Sequence, residues 1–117
     1  MEVLSGNIFE SRMMTLVNTV NCVGVMGAGI ALEHTFRDPK MYSKYKNICN
    51  QGLLEPGKLW LWKEAPIWVL NFPTKVHWRN PSRIEFIEDG LRKFVDTYKE
   101  RNITSAAFPL LGAQHGG

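Results

Sequence analysis

Residues 14–21, Met-Thr-Leu-Val-Asn-Thr-Val-Asn, are apolar and β-branched apart from two asparagines, and Gly24, Gly27 and Gly29 follow directly. Such a run reads as a strand buried inside a sheet. The glycines let backbone N–H groups approach an anion without side-chain clash. A helix starting near Gly29 would aim its positive end at the same place, which suits a diphosphate. The plainer alternative is a glycine-rich turn that merely permits close packing. The spacing is not a phosphate-binding Walker loop, because no Gly-Lys-Ser/Thr follows, and Leu32 stands where a dinucleotide-binding fingerprint would need its third glycine.

The remaining pattern extends this unit into one alternating α/β domain over residues 1–117. A short strand is expected at residues 1–4, turned by Ser5-Gly6-Asn7, and a helix at 29–36. Asp38 then Pro39 is a helix start, with Met41, Tyr42, Tyr45, Ile48 and Cys49 at helical spacing and Gly52 as the stop. Strands follow at 58–62 and 67–72, joined by a turn at Glu64-Ala65-Pro66. Ser82 and Glu85 form a capping box ahead of an apolar stripe of Ile84, Ile87, Leu91, Phe94, Val95 and Tyr98. The last strand is expected at 103–111. Three loops, at 21–29, 74–81 and 112–117, thus follow strand ends. If those strands are parallel neighbours, all three converge on one cleft.

Composition narrows the class. Of 117 residues, 44% are hydrophobic and 21% charged, the balance of a globular protein with a core of its own. A net charge of +3 tolerates a polyanionic partner without indicating one. No signal peptide or bilayer-length apolar run is present, so no membrane role is expected and a reducing cytoplasm is the default. Cys22 and Cys49 lack metal-ligand spacing, and neither a metal nor a cofactor is expected.

The polar residues at the loops each have two readings. Asn18 and Asn21 can pair with ribose hydroxyls or cap backbone groups at the strand end, and capping is preferred for Asn18. Lys75 reads as a solvated lysine on residue statistics alone. Lys75, Arg79 and Arg83 carry three positive charges with no acid among them, and His77 and Trp78 lie inside the run. An aromatic amid cations suits single-stranded nucleic acid, by base stacking and phosphate neutralisation, or Trp78 folds onto the core. Trp60, Trp62 and Trp68 are expected in the core or on the sheet. His34 and Glu33 are expected to be structural or solvated. His115 is open between ligand contact and surface.

The run Leu16-Val17-Asn18-Thr19-Val20-Asn21 with Met26-Gly27-Ala28-Gly29-Ile30-Ala31 resembles the nucleotide-diphosphate segment of macrodomains. Gly6-Asn7-Ile8, then Asn71-Phe72-Pro73-Thr74-Lys75-Val76-His77-Trp78-Arg79, then Pro109-Leu110-Leu111-Gly112 agree with it in order. The middle run is the most specific and is similar to the DNA-directed, lysine-dependent branch, that of DarG-type antitoxins and terminal ADP-ribose glycohydrolases. The resemblance implies a three-layer α/β/α sandwich with a mixed central sheet that cradles ADP-ribose. It places Asn7 and Ile8 at the adenine end. Gly27, Ala28, Gly29 and Ile30 would clamp the diphosphate from one side, and Leu111, Gly112, Ala113, Gln114 and His115 from the other. Asn21 would face the distal ribose, and Lys75 would serve hydrolysis. Many macrodomain hydrolases instead use an acid in the first glycine loop, and none stands between Cys22 and Leu32.

By the same resemblance the substrate is ADP-ribosylated single-stranded DNA, thymidine-linked, with His77, Trp78 and Arg79 gripping the strand. The partner is an ADP-ribosyltransferase toxin encoded separately. A non-catalytic ADP-ribose reader and an inactive remnant are the alternatives. Macrodomains of this branch continue past the second glycine loop with a helix and a closing strand. The expectation is therefore a fold lacking those two elements, with an exposed edge open to self-association and a loop at 112–117 that orders when ligand binds.

Overall fold

The computed structural model describes residues 14–26, 29–64, 66–77, 79 and 83–109, with the side chains of residues 29 and 30 left out. Along the chain run β1 (Thr15–Val20), α1 (Gly29–Arg37), α2 (Pro39–Asn50), β2 (Trp60–Trp62), β3 (Trp68–Pro73), α3 (Ile84–Thr97) and β4 (Ala106–Ala107). The four strands form one sheet in the order β2-β3-β1-β4. β1 is parallel to both neighbours, paired Thr15↔Trp68 through Val20↔Pro73 on one side and Thr15↔Ala106 on the other. β2 is antiparallel to β3, as a short turn between them requires. The sheet is therefore mixed, and the loops after β1 and β3 leave the same carboxyl edge, as expected if these strands are parallel neighbours.

Because side chains alternate along a strand, each face of this sheet has its own core. Val17, Leu70, Phe72, Ala106 and Phe108 face α3, where Phe94 packs edge-on against Phe108 with ring centroids 5.1 Å apart. Val20, Val69 and Trp62 face the other way, against Met26 and the α2 residues Met41 and Tyr45. Helices on both faces complete three layers.

The local signals for α2 form as read. Asp38 Oδ1 accepts the Met41 N–H at 3.1 Å, and Oδ2 accepts the indole N–H of Trp62 at 2.6 Å. At the other end Leu53 N–H reaches Ile48 O and Gly52 N–H reaches Cys49 O, a Schellman stop with Gly52 at φ +68.

Three expectations are corrected. The helix α3 begins one residue later than the capping box requires, with Arg83 in the cap position and no side-chain cap bond; Ser82 lies outside the described residues. Its apolar stripe is split. Ile87 and Phe94 are buried, Tyr98 is half-buried, and Ile84 and Val95 stand 63% and 66% exposed. The seat they were expected to take is filled by Gly90, where an added Cβ would lie 2.4 Å from the Phe72 ring, so the helix rests on that ring instead. The last strand is two residues long among the described residues, because residues 103–105 approach β1 without joining the ladder beyond Ser105 O and Thr15 N–H. The expected strand at residues 1–4 and the loop at 112–117 lie outside the described residues.

Candidate functional site

The carboxyl edge of the parallel strands is assembled by hydrogen bonds. Past the end of β1, Thr74 N–H donates to Val20 O at 3.0 Å and Cys22 N–H donates to Val76 O at 2.8 Å. Lys75 sits between these two pinned residues, so the segment after β3 is fastened against the loop after β1. Its side chain is half-buried.

Asn21 organises that loop. Its Oδ1 accepts from Val23 N–H at 3.1 Å and Val25 N–H at 3.3 Å, and its Nδ2 donates to Val25 O at 2.7 Å. The Tyr45 hydroxyl, reaching up from α2, lies 2.9 Å from Asn21 O and 2.8 Å from Asn21 Oδ1. Burial of Tyr45 holds its phenol protonated, well above the usual range, so it acts as a donor. Among the described residues, one Nδ2 hydrogen of Asn21 has no bond to the loop. Both readings of this residue thus have a basis: it caps backbone, and one donor is left over.

Asn18 is fully buried and does not cap the strand end. Its Nδ2 lies 3.1 Å from Asn71 Oδ1, opposite it in register, and 4.0 Å from the Met26 sulfur. Asn71 Nδ2 in turn donates to Trp60 O at 3.3 Å. This amide pair crosses from β1 to β3 under the loop, and sequence reasoning missed the role of Asn71. The signal was available: two asparagines inside otherwise apolar strands must find each other or pay for burial.

Following the loop, α1 opens at Gly29 with no acid in its first turn, so its positive end is uncompensated near the same edge. Gly27 and Ala28 lie outside the described residues, as do Asn7, Ile8, Trp78, Leu111, Gly112, Ala113, Gln114 and His115. β4 leads towards the second glycine loop from the other side of β1, up to Pro109. His77 is half-buried, and its Nδ1 accepts the Arg79 N–H at 3.1 Å, while Arg79 is exposed. His34 is a buried residue of α1, 2% exposed, and burial pushes its imidazole down to about 4, with Arg37 adding to the fall. Glu33 pairs with Arg37 on the surface. Among the described residues no cluster of His, Cys, Asp and Glu could hold a metal ion, and no helix is long and apolar enough to cross a membrane.

Comparison with known proteins agrees with this geometry. The Macro domain family pattern matches residues 17–117. The chain is 42% identical over 116 residues to a DNA ADP-ribosyl glycohydrolase of Thermus aquaticus, covering 96% of this chain and 32% of that protein. It is 43% identical to one of Mycobacterium tuberculosis, covering 97% and 33%. The chain thus spans about a third of the length of these curated relatives. Among solved structures, the macrodomain of Thermus aquaticus DarG superposes with a TM-score of 0.90 at 41% identity, covering 98% of this chain and 79% of that one. Thermosipho africanus DarTG in complex with ADP-ribose gives 0.89 at 42%, covering 96% and 33%. The layers and the mixed sheet match the fold of these relatives, and the chain belongs to the macrodomain family.

Proposed function

We propose that this macrodomain binds ADP-ribose at the carboxyl edge of β1 and β3 and hydrolyses its bond to a base, thymidine, in single-stranded DNA. The observation that carries the reading is the pinning of Lys75 against the Asn21 loop by the Cys22–Val76 and Thr74–Val20 hydrogen bonds. The glycohydrolase name of its relatives and the ADP-ribose complex of the Thermosipho africanus protein support the substrate class. In this arrangement the Asn21 loop and the start of α1 receive the diphosphate, with Gly27, Ala28, Gly29 and Ile30 on one side and Leu111, Gly112, Ala113, Gln114 and His115 on the other. Asn7 and Ile8 take the adenine. The spare amide hydrogen of Asn21 addresses the distal ribose, and His77, Trp78 and Arg79 contact the DNA strand.

Lys75 acts at C1″ of that ribose. As a neutral amine it attacks C1″, the base departs with the bonding electrons, and water later releases the sugar. As an ammonium it stabilises the departing base instead. Arginine keeps the charge and cannot serve as the amine, so the two roles separate. Turnover of ADP-ribosylated oligonucleotide should vanish in Lys75→Ala; loss in Lys75→Arg as well selects the nucleophile, and retention selects the cation. Undiminished turnover in Lys75→Ala would remove the lysine from the mechanism. Tight ADP-ribose binding without any release by the parent would make the protein a reader. The partner implied is an ADP-ribosyltransferase acting on the same DNA in the bacterial cytoplasm; in the Thermosipho africanus relative the two activities are named in one fusion protein.

A further inference from the structure

On the sheet face that meets α1 and α2, β1 presents Leu16, Asn18 and Val20, and β3 presents Val69, Asn71 and Pro73, paired in that order. Each strand is apolar there except at its asparagine. Asn18 and Asn71 stand directly opposite each other, both fully buried, with Asn18 Nδ2 donating to Asn71 Oδ1 at 3.1 Å. Among the described residues this is the one side-chain hydrogen bond between the two strands. The bond from Asn71 Nδ2 to Trp60 O decides which way round the Asn71 amide sits, with its Oδ1 towards Asn18.

The pair is not the arrangement that would stabilise this layer most. Asn18 Oδ1 is buried and accepts from no protein group among the described residues. Two apolar side chains of the same shape would pack there without leaving an acceptor unmatched.

What the pair does supply is register. The strands are parallel and joined by residues 21–67, so no tight turn aligns them. A slip of two residues keeps every side chain on its own face, and the apolar pattern accepts it. Asn18 would then stand opposite Val69 or Pro73, and Asn71 opposite Val20 or Leu16, with both amides unmatched. Of these registers only the observed one lets the amides meet. It also sets the site. The bond from Thr74 N–H to Val20 O is the next rung beyond the strand ends, and Lys75 follows it. A two-residue slip would carry Lys75 about 7 Å past the Asn21 loop. Reacting atoms have to come within about 3.5 Å, and a misplacement of about 1 Å already slows a reaction strongly.

We propose that Asn18 and Asn71 are positioning residues, whose mutual hydrogen bond holds β3 in register with β1 so that Lys75 meets the sugar addressed by the Asn21 loop. Neither touches substrate. The proposal rests on the reading of Lys75 as the residue that acts at C1″, and it names the two residues that align it.

The test replaces both partners, Asn18→Leu with Asn71→Leu, which keeps the size and leaves no amide unmatched. The melting temperature should stay at or above that of the parent. In turnover of ADP-ribosylated oligonucleotide kcat should fall about tenfold or more. Free ADP-ribose affinity, measured by calorimetry, should stay at the parent value, because the diphosphate is received by the Asn21 loop and α1. Amide hydrogen exchange reads the register without any turnover: Thr74 and Cys22 should lose protection while Leu70, inside β3, keeps it. A second variant, Asn18→Thr with Asn71→Thr, retains two hydroxyls able to bond across the same rung and should restore kcat and protection. Parental kcat with parental protection in the first variant would overturn the proposal. So would a first variant that melts well below the parent or does not fold, because the pair would then be a stabilising element. A second variant as slow as the first would overturn it as well. If the parent cleaves no modified DNA and the first variant still loses protection at Thr74 and Cys22, the register lock stands and the hydrolase reading falls.

Discussion

The two faces of the sheet are held by different physics. Under α3 the contacts are apolar and aromatic: Val17, Leu70, Phe72, Phe94 and Phe108, with Tyr98 stacked on Phe94. Under α1 and α2 the packing is interrupted by directional bonds, from Asn18 to Asn71, Asn71 to Trp60, Tyr45 to Asn21, and Asp38 to Trp62. Apolar packing tolerates small shifts; a hydrogen bond between buried amides does not. The face that touches the loop is thus the one whose geometry is fixed, while the other supplies burial. Stability and site shape should separate under mutation accordingly.

The largest effect is expected on the α3 face. Phe94 is 5% exposed and touches both Phe108 and Tyr98. Phe94→Ala should cost about 3–5 kcal/mol in denaturant unfolding, through lost burial and a cavity. The fraction that remains folded should bind ADP-ribose at parental affinity. A drop in affinity equal to the drop in stability would show the two faces to be one coupled unit.

Acid should act on the opposite face. His34 in α1 is held down to about 4 by burial, against an ordinary value of 6.5. Its folded value is depressed, so the unfolded chain takes up the proton first. The stability it preserves is complete above 6.5 and drains away as pH falls towards 4, by up to about 3 kcal/mol. In His34→Gln that part of the pH dependence should flatten when unfolding free energy is measured at pH 7, 5.5 and 4. Identical slopes in parent and variant would assign the acid sensitivity to other groups.

A smaller loss is expected from Gly90→Ala, about 1–3 kcal/mol, because the new methyl meets the Phe72 ring and the ring has to move. A variant as stable as the parent would mean that Phe72 has room to turn. This glycine also shows where the sequence stops being legible. The α2 boundaries were readable because a cap, a proline and a stop glycine are local signals that act through their own backbone. The sheet order β2-β3-β1-β4 was not read from the sequence, where parallel neighbouring strands stood only as a condition. The stripe on α3 was misread because helical spacing cannot tell a residue that packs from one displaced by a ring on another strand. Ile84 and Val95 have the right spacing, yet Gly90 sets where the helix lies. Asn21 was singled out because it ends a strand beside a glycine loop. Asn71 was quoted within a motif, but its part as the partner of Asn18 depends on a register between residues 53 positions apart, which no local pattern carries.

The smallest change in stability should have the clearest effect on the site. Tyr45→Phe removes one oxygen and leaves the ring in place, in a position with no exposed surface. The hydroxyl proton it deletes is shared between Asn21 O and Oδ1. Oδ1 keeps the N–H groups of Val23 and Val25, so the loop retains its own cap, but it loses its tie to α2. A net loss of about 1 kcal/mol is the expectation for one such bond. That energy bears directly on where the Asn21 loop stands relative to Lys75, because the other ties are backbone bonds to residues 74 and 76. If the same energy is lost each time ligand orders the loop, ADP-ribose affinity should fall by about fivefold, while the melting temperature falls by only about 4 °C. Phe94→Ala should give the reverse pattern, a large fall in stability and no change in affinity. Calorimetric titration of the folded Tyr45→Phe protein decides it: parental affinity would mean that Asn21 and the strand ends hold the loop unaided, and that α2 shapes the core without shaping the site.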